Sequence, residues 1–493
     1  MIPFLFSLIL VPFLSALGTA TVRNITLART ISLVGGFTTL ALALRLCAPP
    51  PACLDTRGLA YSVFLPWLPQ IGIEFSLGID SLNRLFALLS PFVTLLALLA
   101  LNPSSSRWLA ANLLWLESAL LGNFCAQNFG TWFLFYELSL APAFFLIRSP
   151  GDPNASRAAL RFFLYTQAGG IAILAGYLAI GLSCGTFSFP ELAHTQISET
   201  LNQKFAIPWL SNLIFWLVLG GLMIKIPAIP LHGWLPETYS RAPAVAIMIL
   251  TGVMSKMGLY GILRLLSPVF PRELSQWAGI LLWLAVAGAV FAAFVAITQS
   301  DLRRAFGYLS INHLAYCLMG IFSFHLLPPG TSDKTADLLY SGVLLLAFNH
   351  GISAATLFAI LNALEERTAG KHSITDFGGL RSLAPVLSGL GFISIFASLG
   401  LPGLNGFPGE FLLFVGVFHV SWPAATLASL ALLLGAFFLL NVIQRVFWGP
   451  IGKNLQNFPE IRPHELLWAV PAAAAIVVLG IWPQAILNLL RWP

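Results

Sequence analysis

The chain has 493 residues, 58% hydrophobic and only 9% charged, with a mean hydropathy of +0.85. A soluble domain carries roughly 25% charged residues, so this composition excludes a large soluble domain and describes a polytopic membrane protein. The formal net charge of +6 needs no nucleic-acid partner, because Lys and Arg gathered at cytoplasmic loops account for it.

Apolar runs of about 20 residues, enough to cross a bilayer, fall in order at 2–20, 26–47, 79–101, 107–126, 129–148, 157–183, 206–226, 243–266, 276–298, 303–324, 338–363, 382–401, 424–447 and 466–489. They predict an all-α polytopic protein of fourteen spans. The first run starts at Met1, with no basic stretch before it and no small-residue cleavage site. It reads as a retained span, not a removed signal. An even number of spans places both termini on one side. Loops after odd-numbered spans hold most of the basic residues, among them Arg23, Arg107, Arg148, Arg303, Lys371 and Arg462. The opposite loops hold fewer, among them Arg45, Lys204, Arg272 and Lys334. The positive-inside rule then makes the first set cytoplasmic and both termini external.

Cysteines at 47, 53, 125, 184 and 317 form no Cys-x-x-Cys pair and no cluster. That speaks against an iron–sulfur or zinc site in this chain. Cys47 and Cys53 are close enough in sequence to pair across a loop, although thiols at the end of a span are more often free.

Two places interrupt the helical text with Pro and Gly at membrane depth: Lys225-Ile-Pro-Ala-Ile-Pro in the seventh span, and Leu399 to Glu410, LGLPGLNGFPGE, in the twelfth. Paired interruptions five spans apart mark an inverted-repeat transporter, with spans four to eight matched to nine to thirteen. The expected division is 1–106 for three N-terminal spans, 107–267 for the first repeat, 268–448 for the second and 449–493 for the last span. After Lys225 a half-helix is expected to continue towards Ser240. Broken backbone survives in a bilayer only where it is buried in protein or lines a wet cavity, so both breaks predict polar interior.

The same interior holds ionisable residues. The chain has Lys only at 204, 225, 256, 334, 371 and 453. Lys225 and Lys256 lie at membrane depth, where an ammonium is expensive and marks function by default. Glu117, Glu137, Glu410, His313 and His350 also fall within or beside spans. Together these seven groups suit a proton relay, since each holds or releases a proton when burial or a neighbouring charge changes. Plainer roles stand beside this: a Glu137 held by hydroxyls, a Lys225 reaching an interface, a Glu117 turned to a neighbouring subunit, and histidines satisfied in the core. His232, His325, His372, His419 and His464 lie near loops or span ends and carry no expected role.

At these residues the chain resembles a known family. KIPAIPLHGWLPETYSRAP, SKMGLYGILR and ASLGLPGLNGFPGEF are similar to the antiporter-like subunits of respiratory complex I, a family shared with Mrp-type cation/proton antiporter chains and energy-converting hydrogenase membrane arms. The resemblance implies fourteen helices in two inverted five-helix repeats, each with a broken helix. It implies that Glu137 pairs with the broken-helix Lys225, that Lys256 is the central relay lysine, that His313 and His350 are polar stations, and that Glu410 is the terminal carboxylate. A glutamate at the twelfth span, in place of the lysine typical of L-type, N-type and Mrp chains, and the absence of a long extension after span fourteen point to one branch of the family. For that branch the resemblance implies L-type and N-type chains as partners in a bacterial-type inner membrane. It implies no cofactor in this chain, with NADH, FMN, iron–sulfur clusters and quinone in other subunits of the enzyme. An Mrp-type Na⁺/H⁺ antiporter chain and a hydrogenase membrane arm remain as alternatives. Two departures from the family pattern stand out: Asn128 where an acidic residue is common, and Arg241 close to the first break.

The topology is testable by replacing Lys371 or Lys334 with Cys in a Cys-free background. An impermeant thiol reagent is expected to reach position 371 only from the cytoplasmic side and position 334 only from outside; labelling of 334 from the cytoplasm inverts the assignment.

Overall fold

The computed structural model describes the chain except residues 1–3, 49–54, 56, 57, 104, 149–151, 208, 329–332, 453, 454, 456 and 491–493, with only the backbone at Asn202 and Asp333. Cys53 therefore lies outside the described residues, and Cys47 is a free thiol.

The chain starts with α1 (Phe4–Thr21) and α2 (Ile25–Leu44), whose first turn is capped by Asn24 Oδ1 accepting from the Leu27 N–H at 3.1 Å. Both helices are about one-third buried. Next comes an antiparallel hairpin, β1 (Ala60–Leu68) and β2 (Ile73–Ile79), turning at Gly72 with φ +75°. The sequence reading contained no strands. This segment is rich in β-branched and aromatic residues and broken by Pro66 and Pro69, which leaves it too short to span. The Thr131 hydroxyl, from the later helix Phe129–Leu138, locks β2: it accepts from the Ser76 N–H at 3.0 Å and donates to the Glu74 carbonyl at 2.9 Å.

Helices α3 (Ser81–Ala100) and α4 (Arg107–Cys125) lead into one span interrupted at Ser139, α5 (Phe129–Leu138) with α6 (Leu140–Ile147). Asn128 Oδ1 accepts from the Gly130 N–H at 2.8 Å and so caps α5. Asn caps about as well as Asp, and the departure at this position leaves the helix start intact. Then follow α7 (Pro153–Cys184), the short α8 (Phe189–Ala193) and α9 (Ile197–Phe205), and α10 (Leu210–Lys225). Residues 226–234 are non-helical. A short helix, α11 (Leu235–Arg241), resumes where the sequence suggested a continuing half-helix. Arg241 ends it with an exposed side chain and does not enter the break.

One buried span then runs from 244 to 266 as α12 (Ala244–Ile249), a π-helical turn at Leu250–Met254, α13 (Lys256–Gly261) and a second π-helical turn at Ile262–Leu266. The second half contains α14 (Pro271–Thr298), α15 (Leu302–Phe324), α16 (Asp333–Arg367), α17 (Leu380–Leu383) and α18 (Pro385–Ser398). After a non-helical stretch at 399–405 come α19 (Gly406–Val420) and α20 (Trp422–Val442), extended by a π-helical turn at Ile443–Phe447. The chain closes with α21 (Leu466–Ile481) and α22 (Gln484–Leu490), bent by 77° at their junction.

Among the described residues ten helices are long and apolar enough to cross a membrane, or eleven with the bent last pair. The windows predicted at 206–226 and 382–401 contain the shorter helices α10 and α18, because the Pro- and Gly-rich breaks cut them off. Burial separates centre from rim. The apolar windows of the 244–266 span and of α16 are 100% buried, and that of α15 is 94% buried. Helices apolar all round belong inside a large protein, and these three carry Lys256, His313 and His350.

At one end of the bundle, Arg367 of α16 is fully buried and grips Glu465 through two bonds of 2.8 and 2.5 Å. Beside it, Glu460 accepts from the Val386 and Leu387 N–H groups at 2.9 and 3.0 Å and so caps α18. Burial pushes the Glu465 carboxyl up, but the Arg367 guanidinium and the Arg462 N–H outweigh it and hold it below the usual carboxylate range. Its stabilisation is complete above the unfolded-state pKa and disappears as pH falls through the lowered folded value. Glu465→Gln leaves a buried guanidinium without its counter-charge, a loss of roughly 3–5 kcal/mol. We expect a clear drop in the chain's unfolding midpoint in the purified complex at neutral pH, with the difference from the parent shrinking in acid.

Candidate functional site

Lys256 is the natural starting point, because it is completely buried in the middle of the 244–266 span. The π-helical turn before it brings the Thr251 carbonyl within reach of side-chain donors, as widened turns at functional sites do. Ser255 Oγ donates to that carbonyl at 2.9 Å and Lys256 Nζ at 2.6 Å. On its other side Lys256 Nζ lies 2.8 Å from His350 Nδ1 of α16.

From His350 the polar path continues. The His350 ring stacks on His313 of α15, with centroids 5.1 Å apart and planes at 20°. His313 Nε2 lies 3.3 Å from Glu410 Oε1 of α19. All four residues are at most 7% exposed. Hydrogen-bond roles follow from what each partner accepts. His313 Nδ1 faces the Leu309 carbonyl at 2.8 Å, which only accepts, so Nδ1 carries a proton. The contact between Nε2 and Oε1 then needs one more proton, held on the imidazole or on the carboxyl. The Lys256–His350 contact likewise shares one proton between two nitrogens. The line is two proton-sharing contacts joined by a ring stack. Stacked faces do not exchange protons directly, so the crossing requires a ring turn or a bridging hydroxylic group.

The second break holds this line in place. Asn405, at its end, donates to the Asn349 carbonyl at 3.2 Å and its own carbonyl accepts from Asn349 Nδ2 at 2.6 Å. Asn405 Oδ1 also accepts from Ser353 Oγ at 2.8 Å. These bonds fasten the break to α16, one residue from His350. Gly409 allows α19 to lie against α16: a Cβ there would meet the Leu346 N atom at 2.6 Å. Glu410, the next residue, is thereby carried to His313, with its other oxygen against Gly400, which turns the break at φ +74°.

The first break forms a separate group. Lys225 ends α10 and is 2% exposed. The Trp234 indole folds back to donate to the Ile224 carbonyl at 2.9 Å, closing the Pro-rich loop. Lys225 Nζ donates to Ser139 Oγ at 3.4 Å and sits 4.5 Å above the Tyr136 ring, a cation–π contact. The resemblance implies a Glu137–Lys225 pair, but no direct ion pair joins them here. Tyr136 and Glu137 are consecutive in a helix and point about 100° apart. Tyr136 faces Lys225, whereas Glu137 lies against Gly170 of α7 and is only half-buried. The two lysine groups belong to packed helices, since a Cβ at Gly258 would meet the Leu222 carbonyl oxygen at 2.8 Å. No hydrogen bond links the groups among the described residues. Glu117 is fully buried in α4, has no hydrogen-bond partner, and joins neither group.

Tyr136, Ser139, Thr251, Asn349 and Asn405 were absent from the sequence reading. Their only signal was position: Ser139 two residues after Glu137, Asn349 beside His350, and Asn405 inside the second break. Among the described residues no three His, Cys, Asp or Glu side chains converge as a metal site would require.

A mostly helical membrane bundle with two broken helices and buried lysines defines an antiporter-like membrane subunit. A family model described as NADH:quinone oxidoreductase/Mrp antiporter, transmembrane, matches residues 126–435, and the chain belongs to this family. It is similar to NADH-quinone oxidoreductase subunit M of Rickettsia bellii, with 33% identity over 86% of this chain and 82% of that protein. The same subunit of Escherichia coli is 31% identical over 98% of this chain and 95% of its own length. A chain of respiratory complex I from Thermus thermophilus with bound NADH superposes with a TM-score of 0.85 and 28% identity, covering 99% of this chain and 98% of that one.

The geometry makes His350 the midpoint of the line. His350→Ala in the assembled complex is expected to lower coupled proton uptake by roughly tenfold or more, within reach of a positioned proton-transfer group. His419→Ala, on an exposed face of α19, should leave uptake unchanged. Equal uptake by parent and His350→Ala would remove His350 from the path.

Proposed function

We propose that the chain serves as the M-type, proton-translocating subunit in the membrane arm of an NADH–quinone oxidoreductase. The observation that supports this most strongly is the buried line Lys256–His350–His313–Glu410, with two proton-sharing contacts in series. In this reading Glu137 and Lys225 form the switch of the first repeat, Lys256 is the relay centre and Glu410 the release end. A charge on Lys225 repels a charge on Lys256 across the close contact at Gly258. In a low-dielectric interior that repulsion is strong. Charging Lys225 therefore drives the Lys256 proton towards His350, and drawing Lys225 towards Glu137 relieves it. Glu137 and Lys225 begin apart, so their approach is available as a moving step. Glu117 is assigned to the relay on burial alone.

The reading includes fourteen spans with inverted repeats at 107–267 and 268–448, L-type and N-type chains as neighbours, and both termini on the periplasmic side of a bacterial inner membrane. The chain itself holds no redox centre, and NADH, FMN, iron–sulfur clusters and quinone are handled by other subunits. The names of the relatives and the glutamate at position 410 favour this over an Mrp-type antiporter chain.

The test is at Glu410. Glu410→Gln removes the group that exchanges the final proton, and should impair pumping while leaving the complex assembled. Glu410→Lys retains a titratable group with reversed charge and should pump weakly, with a shifted pH profile. Proton uptake by inverted vesicles across a pH series, normalised to complex content, measures both. Parent-like uptake by Glu410→Gln at every pH would make Glu410 structural.

A further inference from the structure

The proton line does not account for a second concave site, a groove of about 580 Å³ between α18 and α20, lined by Arg381, Phe392, Phe396, Leu440, Ile443, Gln444 and Trp448. Its lining is sorted by depth. Arg381 precedes α18, and Gln444 and Trp448 lie at and beyond the end of α20, so the polar groups gather at one mouth. From that mouth Phe392 and Phe396 follow one face of α18 inwards, one turn apart, and Leu440 lies one turn deeper on α20 than Gln444. At 1.5 Å per residue, Phe396 is about 17 Å along α18 from its first residue. The groove has the profile of an amphiphile with a polar head and a tail reaching well into the hydrocarbon layer.

The mouth is a built feature. The Gly379 N–H donates to the Trp448 carbonyl at 3.0 Å, which ties the segment before α18 to the segment after α20. The Phe392 ring packs edge-on against Phe447 at 5.2 Å and flanks Phe396 at 6.3 Å, forming an aromatic wall. Trp448 is 49% exposed and Leu440 51% exposed, as expected of an interfacial tryptophan and a side chain facing hydrocarbon. Charge decides what occupies the head position. Arg381 is exposed, and among the described residues no carboxylate pairs with it or with the nearby exposed Arg445. Two other arginines at this end are paired with carboxylates, Arg303 with Glu365 and Arg367 with Glu465. The groove thus presents an uncompensated guanidinium, an amide and an indole N–H above an apolar channel.

We propose that this groove binds an anionic glycerophospholipid of the leaflet on the basic side. The phosphate takes the Arg381 guanidinium, with the Gln444 amide and the Trp448 indole as further donors, and one acyl chain lies along Phe392, Phe396, Leu440 and Ile443. A guanidinium suits phosphate through its planar, paired donors, and basic pockets between membrane helices recognise anionic headgroups in this manner. The site is separate from the proton line.

The intact complex is reconstituted into phosphatidylcholine vesicles containing a trace of acyl-photoactivatable phosphatidylglycerol, or of the same probe with a choline head. After illumination, adducts are mapped by peptide mass spectrometry. The proposal expects adducts on 385–398 and 422–448 with the glycerol-headed probe, well above those with the choline-headed one. Arg381→Gln should reduce this adduct about fivefold, the effect of losing one basic contact near an anionic lipid, without changing the choline-probe signal or proton pumping. Leu440→Trp, which fills the channel and leaves the mouth unchanged, should reduce labelling by both probes. Equal labelling by both probes in the parent overturns the proposal in favour of unselective boundary lipid. Absence of lipid adducts, with cross-links from position 381 to a neighbouring subunit, overturns it in favour of a protein interface.

Discussion

Ionised groups without water must find their partners within the protein, and this requirement governs the interior of the chain. A lone ammonium or carboxylate in hydrocarbon is unfavourable by several kcal/mol, yet Lys256, His350, His313 and Glu410 are almost completely buried. Each remains because its neighbour meets part of its hydrogen-bonding need: Thr251 and His350 for Lys256, Glu410 and Leu309 for His313. The same arrangement makes the protons mobile. Where two basic nitrogens share one proton at 2.8 Å, neither owns it firmly, and a modest change in local field moves it.

That constraint also explains irregular backbone where regular helix would be cheaper. A π-helical turn precedes Lys256, and non-helical segments follow Lys225 and precede Glu410. Each liberates main-chain groups that an unbroken helix would consume internally. Thr251 offers its carbonyl to the Lys256 ammonium, and Asn405 offers both backbone and amide to α16. Such backbone lasts in a membrane only inside protein; Asn405 of the second break is buried against α16, whereas Leu401, Pro402 and Gly403 lie on the surface of this chain.

The two lysine groups use this plan differently. Around Lys256 the partners already touch, and the path to Glu410 is nearly continuous. Around Lys225 they do not: Lys225 rests on Ser139 and Tyr136 while Glu137 looks towards α7 and the surface. In the proposed reading, the first arrangement suits proton transfer once the ring stack is crossed, and a charge held away from its partner suits response to an outside signal. Glu137 is also the member of the set nearest the surface, lining an apolar groove with Trp67 and Leu68 of the hairpin, where a neighbouring chain can act on it.

Much of this was legible in the sequence. The all-helical membrane class followed from composition, and the two breaks from Pro and Gly at depth. The candidate residues followed from the expense of charge in lipid, which makes Lys256 or Glu410 conspicuous in one dimension. The sequence did not determine which of those residues meet. Lys256 and His350 are 94 positions apart, and no periodicity relates them; Gly252 and Gly351 let the 244–266 span and α16 approach until a Cβ on either would meet the other's carbonyl oxygen at 3.0 or 2.7 Å, so packing alone decides the contact. The hairpin at 60–79 escaped because an apolar stretch with two prolines reads equally as a failed span. The distance between Glu137 and Lys225 escaped because it depends on which way consecutive side chains of α5 point, and that is fixed by the helices on either side of it.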